Sequence, residues 1–114
     1  MGLLSWLFGP KVETVEAADV RELQSKGAVL VDVREPHEWA GGHVQGAKLI
    51  PLGKLDRELQ KMRPDRQILF ICHSGRRGAH ATDRATKQGL TAANVRGGMI
   101  QWHRSGLPLK GGRR

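Results

Sequence analysis

The sequence has one cysteine, Cys72, and chemistry concentrates around it. Cys72 directly follows the apolar run Gln67–Ile71 (QILFI). His73, Ser74, Gly75, Arg76, Arg77 and Gly78 come next, and then a helical segment begins. A tight loop between a strand and a helix turns consecutive backbone N–H groups inward and forms an anion nest. The helix terminus adds roughly half a positive charge at the same point. Arg76 and Arg77 add full charges nearby. All three effects favour thiolate over thiol and make Cys72 a candidate nucleophile, with residues 73–78 as the wall that would receive an anionic substrate. The plain alternative is an inert cysteine acting as a small hydrophobe. Such a residue would not need a Gly/Arg loop after it. A metal site would need partners among His37, His43, His73, His80 and His103, and none has metal-site spacing with Cys72. No metal is expected, and His73 is read as part of the loop wall.

A second polar strand end lies at Asp32-Val33-Arg34. Asp32 is expected to brace loop N–H groups or a loop arginine rather than to take part in catalysis. Arg34 is expected to pair with Glu38, four residues on. His43, in a Gly-rich loop, is expected to bond loop backbone rather than substrate.

The elements that must position these residues are short. Glu16–Lys26 has helical spacing, with Ala17, Val20 and Leu23 on one face, Thr14 as its cap and Gly27 as its stop. Ala28–Val33 (AVLVDV) reads as a buried strand. Pro36–Ala40 reads as a helix turn with proline at its start. Lys48–Ile50 is a brief strand closed by Pro51, and Leu52–Met62 is helical. Gln67–Ile71 is a second buried strand. Ala79–Gln88 is a helix stopped by Gly89, with Ala79, Ala81 and Ala85 letting it sit close to the sheet. Ala93–Val95 is a strand, Gly97-Gly98 a turn, and Met99–Ser105 a last helix anchored by Trp102. Apolar strands alternating with helices imply an α/β domain with a mostly parallel central sheet of about five strands and helices on both faces. Ligands of such sheets bind at the carboxyl ends of the strands, where Asp32 and Cys72 fall.

A chain of 114 residues is one domain. A single cysteine excludes an internal disulfide and any intramolecular resolving thiol. The net charge of +8 is unevenly placed. Residues 1–65 carry nine basic and ten acidic residues, whereas residues 66–114 carry ten basic residues and one acidic residue, Asp83. The second half therefore works in a positive field that attracts anions. Specific nucleic-acid binding is not expected, because after Phe70 the only non-histidine aromatic ring is Trp102 and stacking platforms are missing. Residues 1–10 form an apolar arm, 11–108 the domain, and from Gly106 the chain reads as a loose basic tail, with 109–114 outside the domain. The run at 3–8 (LLSWLF) is too short to span a membrane, and the first lysine, Lys11, comes after it. The arm is expected to pack on its own domain, with a weak membrane anchor or a dimer contact as the alternative. The absence of a signal points to the cytoplasm, where a lone thiol stays reduced.

Four segments carry a resemblance: LVDVRE (30–35), GHVQGAKLIPL (42–52), CHSGRR followed by Gly78-Ala79 (72–79), and GGMIQW (97–102). In this order they resemble the motifs of the rhodanese family of sulfurtransferases in its single-domain form. The likeness covers about residues 12–108. It implies a rhodanese-like domain in which Cys72 attacks the outer sulfur of an anionic donor, thiosulfate or a low-molecular-weight persulfide, and carries a persulfide. A thiol or cyanide would then accept the sulfur, and the acceptor could be a protein. Arg77, with Arg76, would hold the anionic donor, and no cofactor or metal would be needed. A phosphatase or arsenate reductase on the same fold is the nearest rival. Those enzymes place five residues between cysteine and arginine, but Arg77 here follows after four. The shorter loop suits a single sulfur better than a tetrahedral phosphate. A sulfur carrier serving one dedicated partner is the other alternative. A non-catalytic module of this fold would typically lack the cysteine.

Overall fold

The apolar runs become the middle of a sheet. The computed structural model describes residues 10–111. Within them the elements are Thr14–Val15 (β1), a 3-10 turn at Ala17–Asp19, Val20–Ser25 (α1), Val29–Asp32 (β2), Pro36–Ala40 (α2) and Lys48–Leu49 (β3). A 3-10 turn at Leu52–Lys54, Leu55–Leu59 (α3), Ile68–Ile71 (β4), Arg76–Lys87 (α4), Ala92–Val95 (β5) and Gly98–Arg104 (α5) follow. The strands form one five-stranded sheet in the order β1-β5-β4-β2-β3, and every pairing is parallel. β4, the strand before Cys72, is central and carries four buried residues. Parallel strands covered on both faces read as continuous apolar runs, which explains why β2 and β4 are visible in the sequence.

Successive strand residues point to opposite faces. Val31, Val33, Ile68, Phe70 and Cys72 share a core with Leu55 and Leu59 of α3 and Ala81 and Ala85 of α4. Leu30, Leu69, Ile71 and Val95 share the other with Val20 of α1 and Met99 and Trp102 of α5. Phe70 is fully buried, which contributes about 1.5–3 kcal/mol. The alanines of α4 are small enough to bring that helix onto the sheet, as expected.

Several boundaries differ from the sequence reading. The first expected helix, 16–26, is a 3-10 turn followed by one and a half turns of α-helix. Thr14 is not its cap but part of an edge strand paired with β5. β1 is only two residues long and, unlike β3 before Pro51, has no turn residue to mark its end. The last residues described are not loose. Trp102 Nε1–H donates to the Pro108 carbonyl at 3.0 Å. His43 and Lys110 exchange backbone hydrogen bonds of 2.9 and 2.7 Å in an antiparallel bridge. Net charge says nothing about such backbone pairing. The apolar arm at 3–8 lies outside the described residues. Among those described, no helix is long and apolar enough to cross a membrane.

Candidate active site

Cys72 continues the phase of Ile68 and Phe70, so its sulfur is delivered to the face of the sheet on which α4 packs. α4 begins at Arg76, three residues earlier than its sequence pattern suggests. Its N-cap is Gly75, with φ at 108°, a left-handed value that a side chain would oppose. That turn aims two backbone donors at one atom. Gly75 N–H lies 3.0 Å and Gly78 N–H 3.2 Å from Cys72 Sγ. Gly78 falls in the first turn of α4, where N–H groups have no partner inside the helix. Two donors and a helix terminus thus converge on the sulfur, which stabilises negative charge there.

The rest of the loop is held from behind. Met99 N–H donates to the Cys72 carbonyl at 2.7 Å and Ile100 N–H to the His73 carbonyl at 3.0 Å. Both donors belong to the first turn of α5. Gly97 and Gly98, read from sequence as a turn, therefore bring one helix terminus onto the cysteine loop. His73 and Ser74 are exposed on its outer side.

Arg77 does not stand free at the mouth. Its two terminal nitrogens donate to Glu38 Oε1 and Oε2 at 2.7 and 2.9 Å. The hydrogen bond from Arg77 is the main reason that the Glu38 carboxyl falls from 4.5 to about 2, with burial opposing and the Glu35 N–H assisting. Glu38 in turn raises the pKa of Arg77. The pair therefore stays doubly charged throughout the neutral range. Arg76 is exposed and, among the described residues, has no carboxylate partner. It lines a groove of about 600 Å³ with Lys11, Thr14, Ser74 and Arg96. Arg96 is itself held by Glu16 at 2.7 Å.

The Glu38 shift has a stability consequence. A carboxyl with a depressed folded pKa stabilises the fold above its unfolded value near 4.5, and that contribution is lost as pH falls through about 2. Glu38→Gln is expected to lower stability by about 1 kcal/mol at pH 6, because the pair is partly solvated. The gap between wild type and variant should close by pH 2. Urea unfolding of both proteins at the two pH values checks this, and a gap that is constant with pH would refute it.

Asp32 and Arg34 meet each other. Arg34 Nε and Nη2 donate to the fully buried Asp32 carboxylate at 2.8–3.0 Å, and the Arg34 N–H adds a bond of 3.0 Å. Arg34 also donates to the carbonyls of Glu38 (3.2 Å) and Gly42 (2.8 Å). The expected Arg34–Glu38 side-chain pair is therefore not formed. Arg34 touches Glu38 only through its backbone, because Asp32 is nearer along the chain and the Glu38 carboxylate faces α4. The result is a strut that fixes α2, and with it the Glu38 that grips Arg77. His43 behaves as a packing residue. Its ring stacks on Trp39 at 3.6 Å, and Nδ1–H donates to the Trp39 carbonyl at 3.0 Å.

A model of the Rhodanese-like domain matches residues 16–105. The chain belongs to the rhodanese-like family. It is 33% identical over 95 residues to a protein named sulfurtransferase from Allochromatium vinosum, covering 82% of this chain and 89% of that one. It is 38% identical over 76 residues to YqhL of Bacillus subtilis, covering 66% of this chain and 60% of the relative, so it spans less than two-thirds of that relative's length. The crystal structure of a rhodanese-related protein from Thermoplasma volcanium superposes with a TM-score of 0.79 at 31% identity, covering 86% of this chain and 97% of that one.

In this rhodanese-like chain the expected residues form two groups. Cys72 and residues 73–78 form the loop. Asp32 and Arg34 lie beyond it, joined to it through Glu38. Two residues at the loop were not singled out from sequence, Glu38 as the partner of Arg77 and Asn94 beneath the loop. Glu38 was legible only as an acidic residue near Arg34. Asn94 was the one polar side chain in an otherwise apolar strand.

Proposed function

We propose that the chain is a sulfurtransferase that works through a persulfide on Cys72. The observation that carries this is the convergence of the Gly75 and Gly78 N–H groups on Sγ at the head of α4. The thiolate attacks the outer sulfur of an anionic donor such as thiosulfate. A sulfur–sulfur bond forms, the donor's own sulfur–sulfur bond breaks, and sulfite leaves with the bonding pair. A thiophilic acceptor, a thiol or cyanide, then attacks the terminal sulfur and the Cys72 thiolate is restored. The two N–H donors stabilise negative charge on the attacking Sγ. Once the persulfide forms, Sγ is its neutral inner sulfur and the charge lies on the terminal sulfur, still in the positive field of the loop and the head of α4. Cys72 is fully buried, which favours a donor ending in one narrow sulfur atom over a tetrahedral phosphate. Arg76 and the basic second half supply the field that steers small anions. A reducing compartment such as the cytoplasm would keep the thiol free.

One observation favours a second reading, a sulfur carrier fed by a dedicated partner. Arg77 is neutralised by Glu38, so less charge remains to hold a free dianion. Thiocyanate production from cyanide separates the two. Turnover with thiosulfate or with glutathione persulfide supports the general sulfurtransferase. No turnover with either small donor overturns that reading and leaves the carrier dedicated to one partner.

A further inference from the structure

Asn94 is the last-but-one residue of β5 and lies on the face that meets α4, beneath the cysteine loop. It is buried to 5% exposure. Its Nδ2 donates to the Gly75 carbonyl at 2.9 Å. Its Oδ1 is buried and has no hydrogen-bond partner among the described residues. The amide cannot simply be turned over, because Oδ1 would then face the Gly75 carbonyl oxygen. Oδ1 instead lies against the α-carbon of Gly78, where any side-chain carbon would overlap it. A buried carbonyl oxygen without a donor is costly, so the residue calls for an explanation beyond packing.

The explanation lies in which residues it touches. Gly75 and Gly78 are the two residues whose N–H groups point at Cys72 Sγ. Asn94 holds the first by its carbonyl and seats the second by contact. We propose that Asn94 is a positioning residue that sets the aim of both N–H donors, and thereby the reactivity of Cys72. Asn94 need not touch the donor or the persulfide. It acts through the two glycines. Aspartate would not serve, since it loses the donor to Gly75. Serine would not reach. The inference rests on the reading of Cys72 as the nucleophile, but its test does not depend on sulfur transfer.

The readout is the rate of Cys72 alkylation by iodoacetamide at pH 7 in the folded protein. Asn94→Ala is expected to slow it about tenfold, as befits the loss of well-aimed bonds to a charged sulfur. A merely structural role predicts the reverse, because a loosened loop would expose a buried sulfur and speed alkylation. An unchanged or faster rate overturns the proposal. Gly78→Ala, which drives a methyl group into Asn94, should slow the reaction similarly. In the Asn94→Ala background the same change should add little, because the colliding oxygen is gone. Additive effects would also overturn it. If Cys72 proves to form no persulfide, the alkylation results still decide the role of Asn94.

Discussion

Cys72→Ser is expected to lose cyanide-dependent sulfur transfer by roughly 10⁴-fold or more while keeping its fold, since removal of a nucleophile has effects of this order. Thiocyanate formation and thermal unfolding, measured side by side, check both halves of the prediction. The fold should survive because serine is nearly the size of cysteine and its oxygen can accept the Gly75 and Gly78 N–H groups that now reach Sγ. Alanine would instead leave both donors unmet, at a cost of about 1–3 kcal/mol for the buried Gly78 N–H and less for the part-buried Gly75 N–H. Serine is therefore the cleaner test of chemistry. Activity in the serine variant within tenfold of wild type would mean that the transferred sulfur never sits on Cys72.

Gly98→Ala is the second large effect, and it reaches the site from the opposite side. Gly98 has φ of +56°, and a β-carbon there would overlap the Cys72 carbonyl oxygen and come within 2.7 Å of the His73 carbonyl oxygen. Both obstacles are backbone, so no side-chain rotation relieves them. Either α5 or the cysteine loop must move, and the bonds from Met99 and Ile100 to those two carbonyls must lengthen. Backbone strain of about 1–3 kcal/mol and two weakened hydrogen bonds imply a loss of about 3 kcal/mol. Loop geometry should suffer too, with a fall in activity of at least about tenfold. Gly89→Ala is the control. Gly89 also has a positive φ, +86°, but nothing lies within 4 Å of its would-be β-carbon. It should lose about 1 kcal/mol from local strain and no activity. Urea unfolding and steady-state assays of both variants test the contrast. Equal effects at the two glycines would show that strain, not the approach of α5 to the loop, sets the cost.

The parts of this molecule that were legible in the sequence are local. QILFI and AVLVDV read as buried strands because parallel strands covered on both faces need unbroken apolar runs. CHSGRR read as an anion nest because its chemistry is carried by consecutive residues. What stayed hidden depends on partners far apart in the chain. Arg77 and Glu38 are 39 residues apart, and the nearer Arg34 was the natural partner for Glu38 until Asp32 proved to hold it. Asn94 is 19 residues from Gly75, and nothing in AANV marks its amide as a clamp. The start of α4 was misplaced because Gly78 reads as loop composition. The left-handed turn falls instead at Gly75, which allows glycine to continue the helix where Asn94 presses on it. The Gly97-Gly98 pair was visible as a turn, but its purpose, close approach of α5 to Cys72, needed the third dimension.

The most direct test of a Cys72 persulfide is the intact mass of the wild-type protein before and after incubation with thiosulfate, followed by cyanide. The expected result is a gain of one sulfur, about 32 Da, that cyanide removes with release of thiocyanate, as befits a covalent nucleophile. Serine at position 72 should gain nothing. An unchanged mass after both thiosulfate and glutathione persulfide, or an adduct that persists in the serine variant, would contradict it.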